Sequence, residues 1–145
     1  HIDFEGELAV VFGRTCHQVT AAEALQYVAG YTVCNDVSAR DQQFNHQQFF
    51  KGKSLDGTCP MGPWIVTRDE VPDPHALAIR CRVNGAIKQD WTTGDMIFNI
   101  AEQIEHVTKA FPLEPGDLLF TGTPAGVGAG FNPPKFVKVG DRVRV

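Results

Sequence analysis

The chain has no apolar run near the roughly 20 residues that a membrane-spanning helix needs. Its first residues lack the basic-then-apolar pattern of a secretory signal. Positive charge is not in excess: 13 Lys and Arg stand against 17 Asp and Glu, a formal net charge of −4. Nucleic-acid binders present a basic surface, so a phosphate backbone is not the expected partner. The four cysteines, Cys16, Cys34, Cys59 and Cys81, form no C-x-x-C pair, which argues against a zinc knuckle. With 43% hydrophobic residues the chain can build a core without a disulfide framework. Reduced, mostly buried thiols in a cytoplasmic protein are expected. There is no repeat, low-complexity tract or long linker, so residues 1–145 read as a single domain.

What is present is a series of short elements. Glu5 to Gly13 (EGELAVVFG) reads as a strand that is apolar along most of its length. Thr20-Ala-Ala-Glu23 has the spacing of a capping box and predicts a helix from about Ala21 to Gly30. Tyr31 to Asp36 is β-like, and the polar stretch after it reads as a loop. Trp64 to Thr67 follows Gly62-Pro63 as another strand. Leu77 to Val83 and Ala86 to Trp91 flank Asn84-Gly85, the signature of a type I′ hairpin. Asn99-Ile-Ala-Glu102 starts a second helix that should run to about Phe111. Leu118 to Thr121 is a strand, and Val139-Gly140-Asp141 turns into a last one. Strands dominate and do not alternate strictly with helices, which favours a β-rich α+β fold over a doubly wound sheet.

Few residues offer chemistry. Glu5 and Glu7 lie two apart on the first strand, so both carboxylates share one face. Side by side they repel unless a cation or proton lies between them, although a solvated edge strand would look the same. Asp36 ends the Tyr31 strand. If that strand lies beside the first, three carboxylates converge. Hard oxygen ligands suit Mg²⁺, Mn²⁺ or Ca²⁺, and three of them on a divalent ion leave a net charge near −1. Lys53, beside Gly52, is either a solvated charge or an ammonium that neutralises an anion near such a metal. Thr121 to Gly128 (TGTPAGVG) lacks the Gly-Lys-Ser/Thr ending of a phosphate loop. It is a structural loop, or one whose N–H groups and Thr123 hydroxyl approach an anion. The five histidines show no zinc spacing; His46, in a polar loop, is the one candidate for acid–base work. No G-x-S-x-G elbow occurs.

Taken together, DFEGELAVVFGR, AGYTVCNDVSARDQQF, KGKSLDGTCPMGPWIVT, LEPGDLLFTGTPAGVG and PPKFVKVGD resemble the ordered signature segments of the fumarylacetoacetate hydrolase superfamily. The resemblance implies a mixed β-sandwich-like roll, usually homodimeric. It places metal ligands at Glu5, Glu7 and Asp36, with Mg²⁺ or Mn²⁺ as the cofactor. It sets Arg40 and Gln43 toward the substrate or its lid, Lys53 over the bound substrate, and Thr123 on a substrate carboxylate. Many relatives have a Thr four residues after the lysine, where this chain has Gly57 and then Thr58. Members of the family also carry an N-terminal segment, in several of them with a His–Glu pair for acid–base work, and continue past the position of Val145. A fragment lacking both ends is therefore expected.

The implied substrate is a small 2-oxo acid that reacts through an enolate stabilised by the metal. Hydrolytic carbon–carbon cleavage of an acylpyruvate-type substrate ranks first. Decarboxylation of oxaloacetate-like acids and isomerisation or tautomerisation of 2-oxo dienoates share the same logic. A non-catalytic module that binds metal and oxo acid is the competing class, and a purely structural role is a third.

Overall fold

The computed structural model describes residues 1–45 and 47–145; the polar-loop candidate His46 lies outside the described residues. The chain opens with β1 (Ile2–Asp3) and β2 (Gly6–Phe12). A short helix α1 (Ala21–Ala24) leads through a 3₁₀ turn into β3 (Val28–Asn35). Then come β4 (Ser38–Ala39), α2 (Arg40–Phe44), α3 (Phe50–Lys53) and β5 (Val66–Thr67). The hairpin β6 (Ala78–Val83) and β7 (Ala86–Thr92) precedes α4 (Ile100–Thr108), β8 (Leu118–Phe120) and β9 (Val143–Arg144). Among the described residues the strands form three sheets, ordered β1-β4, β5-β3-β2-β8 and β7-β6-β9. The β-rich α+β reading is borne out.

β2 is the axis of the largest sheet, and every one of its residues is buried. β3 pairs antiparallel on one side, with Gly6 opposite Asn35 and Val10 opposite Tyr31. β8 pairs on the other, with Val10 opposite Leu119. Alternation then gives β2 two different faces. Leu8, Val10 and Phe12 enter a core with Val19, Val28, Ile100, Ile104 and Leu113. Burying each such side chain fully contributes about 1.5–3 kcal/mol, so this one seam holds the large sheet against α4. Glu7 lies on the other face.

α4 begins where the Asn99 pattern predicts. The Asn99 side chain accepts from the Glu102 N–H (2.9 Å), and the Glu102 carboxylate accepts from the Asn99 N–H (2.8 Å). A third free N–H, on Ile100, donates to His75 Nε2 (3.1 Å), which settles three of the four donors that a helix start leaves open. The hairpin is also as read: Asn84 and Gly85 have φ of 51° and 83°, the pair of positive values that a type I′ turn requires.

Several expectations need correction. The first helix stops at Ala24, and β3 already starts at Val28. The Thr20 hydroxyl bonds the Glu23 carboxylate (2.8 Å) rather than a backbone N–H, so the capping box does not close. Gly30 is not a helix stop. A Cβ there would lie 2.3 Å from the Val66 carbonyl oxygen, so glycine is needed for the approach of β5. The stretch after Asp36 is not a plain loop: it folds into β4, α2 and α3, whose segments are too short for periodicity to reveal. Only Val66 and Thr67 of the predicted Trp64–Thr67 strand pair with a neighbour. All four cysteines are free. Among the described residues no helix is long and apolar enough to cross a membrane.

Asn99→Ala removes one arm of the α4 capping box and should cost about 1 kcal/mol. Equilibrium urea unfolding measures the loss as a lower midpoint at unchanged slope.

Candidate active site

The carboxylates are brought together by register. Glu5 lies just before β2, two residues from Glu7 and so on the same side. Asp36 lies just after β3, whose last residue, Asn35, sits opposite Gly6. Two further bonds clamp the strand ends. The Glu5 N–H donates to Asn35 Oδ1 (2.8 Å), and the Asp36 N–H donates to the Glu5 carbonyl (2.9 Å). As a result, one carboxylate oxygen each from Glu5, Glu7 and Asp36 lies within 4.8 Å of the others.

Such a cluster needs positive charge, and two cations supply it. Lys53, at the end of α3, donates from Nζ to Glu5 Oε2 (2.5 Å) and Asp36 Oδ2 (2.7 Å). Arg40, at the start of α2, donates from Nη2 to Glu5 Oε1 (2.6 Å), from Nε to Asp3 Oδ2 (2.8 Å) and from Nη1 to Gln43 Oε1 (2.9 Å). Burial alone would lower the pKa of Lys53; its bonds to Asp36 and Glu5 outweigh that and hold it above its ordinary value. Arg40 behaves in the same way, with Asp3 and Glu5 as its partners.

Glu7 is the least compensated of the three. Burial pushes its pKa up to about 7; the Gly122 N–H opposes the shift, the charges of Asp36 and Glu5 add to it, and Lys53 opposes it. The Gly122 N–H donates to Glu7 Oε2 (2.8 Å), which ties the loop after β8 to the cluster. The neighbouring Thr123 hydroxyl donates to the carbonyl of Gly6, between Glu5 and Glu7 (3.1 Å).

The residues singled out in the sequence thus meet. Glu5, Glu7, Asp36 and Lys53 form one cluster, and Thr123 adjoins it through Gly6. Arg40 and Gln43 are present but buried, with the three arms of the Arg40 fork bonded to Asp3, Glu5 and Gln43. Gly57 is exposed with φ of 72°, and the Thr58 hydroxyl closes the same turn onto the Leu55 carbonyl (2.5 Å). The donor set fits a hard divalent cation. Three carboxylate oxygens converge, one each from Glu5, Glu7 and Asp36.

Three supporting residues were missed. Asp3, fully buried, accepts from Arg40, from the Gly128 N–H (2.6 Å) and from the Ala129 N–H (2.9 Å). Asn35 clamps Glu5. Gln89, on β7, bonds Gly6, Thr123 and Pro124. The only signal for Asp3 was its place two residues before Glu5, in period with it; Asn35 and Gln89 are polar residues within otherwise ordinary strands and carried none.

With this geometry in place, comparison with known proteins is decisive. The family model described as "Fumarylacetoacetate (FAA) hydrolase C-terminal" matches residues 1–145. The chain belongs to the fumarylacetoacetate hydrolase family. It is 49% identical over 144 residues to "Oxaloacetate tautomerase YisK" of Bacillus subtilis, covering 99% of this chain and 48% of that protein. It resembles the structure of "Fumarylacetoacetate hydrolase (EaFAH)" from Exiguobacterium antarcticum, with a TM-score of 0.93 and 46% identity over 98% of this chain and 51% of that one. It also resembles "2-hydroxyhepta-2,4-diene-1,7-dioate isomerase" from Mycobacterium marinum, with a TM-score of 0.88 and 48% identity over 98% and 52% of the two chains. The chain spans about half the length of the curated relatives it matches. These relatives support an enzyme of this family, and among their named activities are tautomerase, isomerase and hydrolase.

Asp3→Ala would leave Arg40 buried with one carboxylate fewer and the N–H groups of Phe4, Gly128 and Ala129 without their acceptor. The expected loss is about 3–5 kcal/mol, the range for breaking a buried ion pair from one side. Chemical denaturation measures it; a loss under about 1 kcal/mol would show that the Asp3–Arg40 bond carries little weight.

Proposed function

We propose that the full-length protein is a divalent-metal enzyme that moves a proton between the keto and enol forms of a small 2-oxo dicarboxylic acid. The convergence of Glu5, Glu7 and Asp36 under Lys53 carries this reading. The activities named for the tautomerase and isomerase relatives move proton transfer ahead of carbon–carbon hydrolysis, which the sequence had ranked first. The three carboxylates would hold Mg²⁺ or Mn²⁺. When bound, the ion supplies positive charge to the oxygens of the 2-oxo acid.

The chain's own residues supply charge and orientation. Lys53 Nζ, held protonated, is the catalytic charge: it donates hydrogen bonds to substrate oxygen as negative charge grows there, and it is not a base. Thr123 is assigned to a substrate carboxylate. Arg40 fixes the orientation of Glu5, and Gln43 braces Arg40. The residue that removes the proton is assigned to the part of the full-length protein outside these 145 residues. A homodimer and a cytoplasmic location belong to the same proposal.

Hydrolysis of an acylpyruvate is the second reading, favoured by the fumarylacetoacetate hydrolase relative at 46% identity. Full-length protein with oxaloacetate, acetylpyruvate and fumarylpyruvate, with Mg²⁺ and then EDTA, separates the readings by product. Rapid keto–enol exchange in the NMR spectrum, without new carbon fragments, is expected. Pyruvate with CO₂ would mean decarboxylation, and pyruvate with a second acid would mean hydrolysis. Mg²⁺-dependent oxalate binding without any turnover would mean a binding module.

Glu7→Gln and Asp36→Asn should each reduce metal-dependent turnover by at least about 100-fold while circular dichroism stays native. Full activity in either would refute the site. Glu7 holds a proton below about pH 7, and a cation must displace it. Mg²⁺ affinity should therefore rise with pH and level off above about 7. Calorimetry in two buffers of different ionisation enthalpy reads the released proton directly.

A further inference from the structure

We infer that Gln89 is a positioning residue that holds the Thr123 hydroxyl as a hydrogen-bond donor toward an anionic ligand; this rests on the proposed role of Thr123. Gln89 is buried on β7, in the sheet that packs behind β2. It reaches the cluster from the side opposite Glu5 and Glu7. It packs closely over Gly6, where a Cβ would lie 3.1 Å from Cys81 Cβ and 3.3 Å from Gln89 Oε1.

The orientation of its amide is fixed by partners that can each play one part. Gln89 Oε1 accepts from the Gly6 N–H (3.0 Å), which can only donate. Nε2 donates to the Pro124 carbonyl (2.7 Å), which can only accept, and to Thr123 Oγ1 (2.7 Å). A flipped amide would set donor against donor at Gly6 and acceptor against acceptor at Pro124.

This fixes the polarity of Thr123. A hydroxyl has one proton and two lone pairs. One lone pair faces the Gln89 amide, so the proton must point elsewhere. It points to the Gly6 carbonyl (3.1 Å), a little longer than the usual hydroxyl hydrogen bond. A carboxylate arriving beside Gly6 is a stronger acceptor than that carbonyl and can draw the same proton by a small rotation. Thr123 therefore meets a ligand as a donor. A neighbouring contact stiffens the same loop: Trp91 Nε1, two residues along β7, donates to the Ala125 carbonyl (3.0 Å).

Replacing the amide by a carboxylate reverses the device. In Gln89→Glu the Thr123 proton turns toward the introduced carboxylate and is lost to the ligand. In Gln89→Leu the hydroxyl is left free to turn. The test is oxalate affinity of the full-length protein in saturating Mg²⁺, by calorimetry, for Gln89→Glu, Gln89→Leu, Thr123→Val and the two double variants. Thr123→Val should weaken oxalate about tenfold, the loss of one hydrogen bond to a charged group. Gln89→Glu should weaken it at least as much and Gln89→Leu less. On the Thr123→Val background either change should add less than about twofold, because residues that act through one another are not additive. Mg²⁺ affinity without oxalate should stay within about threefold for Gln89→Leu. Additive losses would overturn the inference and leave the role of Thr123 standing. Unchanged oxalate affinity in Thr123→Val would overturn that role, and the inference with it.

Discussion

The site depends on one constraint: carboxylates taken out of water must be matched by positive charge at hydrogen-bond distance. Asp3, Arg40, Glu5, Lys53 and Asp36 answer it as a chain of alternating sign, each link between 2.5 and 2.8 Å. Breaking either Arg40 link would strand a buried charge, which costs more than the pair itself gains. The alternation also ties together elements that are separate in sequence. β1, α2, the end of β3, α3 and the start of β2 each contribute one member or hold one in place. Glu7 stands outside the chain; burial, first, and the charges of Asp36 and Glu5 push its pKa up to about 7.

Around this chain, the second sheet acts as a backing. β2 carries Glu7 and leads out of Glu5, but the groups that shape the loop beside it come from β7. Gln89 and Trp91, on one face of β7, hold Thr123, Pro124 and Ala125. Gly126 completes the fit: a Cβ there would lie 2.1 Å from the Lys88 carbonyl oxygen. In the loop that lacks the ending of a phosphate-binding loop, this glycine thus serves close approach to a strand. The two sheets divide the task, one presenting charge and the other fixing the loop that faces it.

Much of this was legible in the sequence where local rules decide. The Asn99 cap, the Asn84-Gly85 turn and the apolar β2 each follow from a few adjacent residues. The pairing of Glu5 and Glu7 follows from a period of two. Asp36 and Lys53 could be read from the residues only as conditional candidates and were firmly placed by the family pattern, because what joins them to Glu5 is strand register and the fold of α3. The helix predicted to Gly30 failed because the approach of β5 decides that glycine's role. Asp3, Asn35 and Gln89 stayed invisible for a related reason. Each acts by reaching a backbone group or side chain across the fold, and no neighbour in sequence announces that contact.

The placement of β2 has a further consequence. It is buried on both faces; β3 lines one edge, and β8 lines the other at Ala9 to Val11. A strand enclosed in this way cannot fray alone; its amides can meet solvent only when the surrounding sheet comes apart. Hydrogen exchange along Ala9 to Val11 should therefore be among the slowest in the chain and follow its global stability. The carboxylate cluster is seated at the start of this strand, while the loop that faces it is held in part by side chains that can let go one at a time.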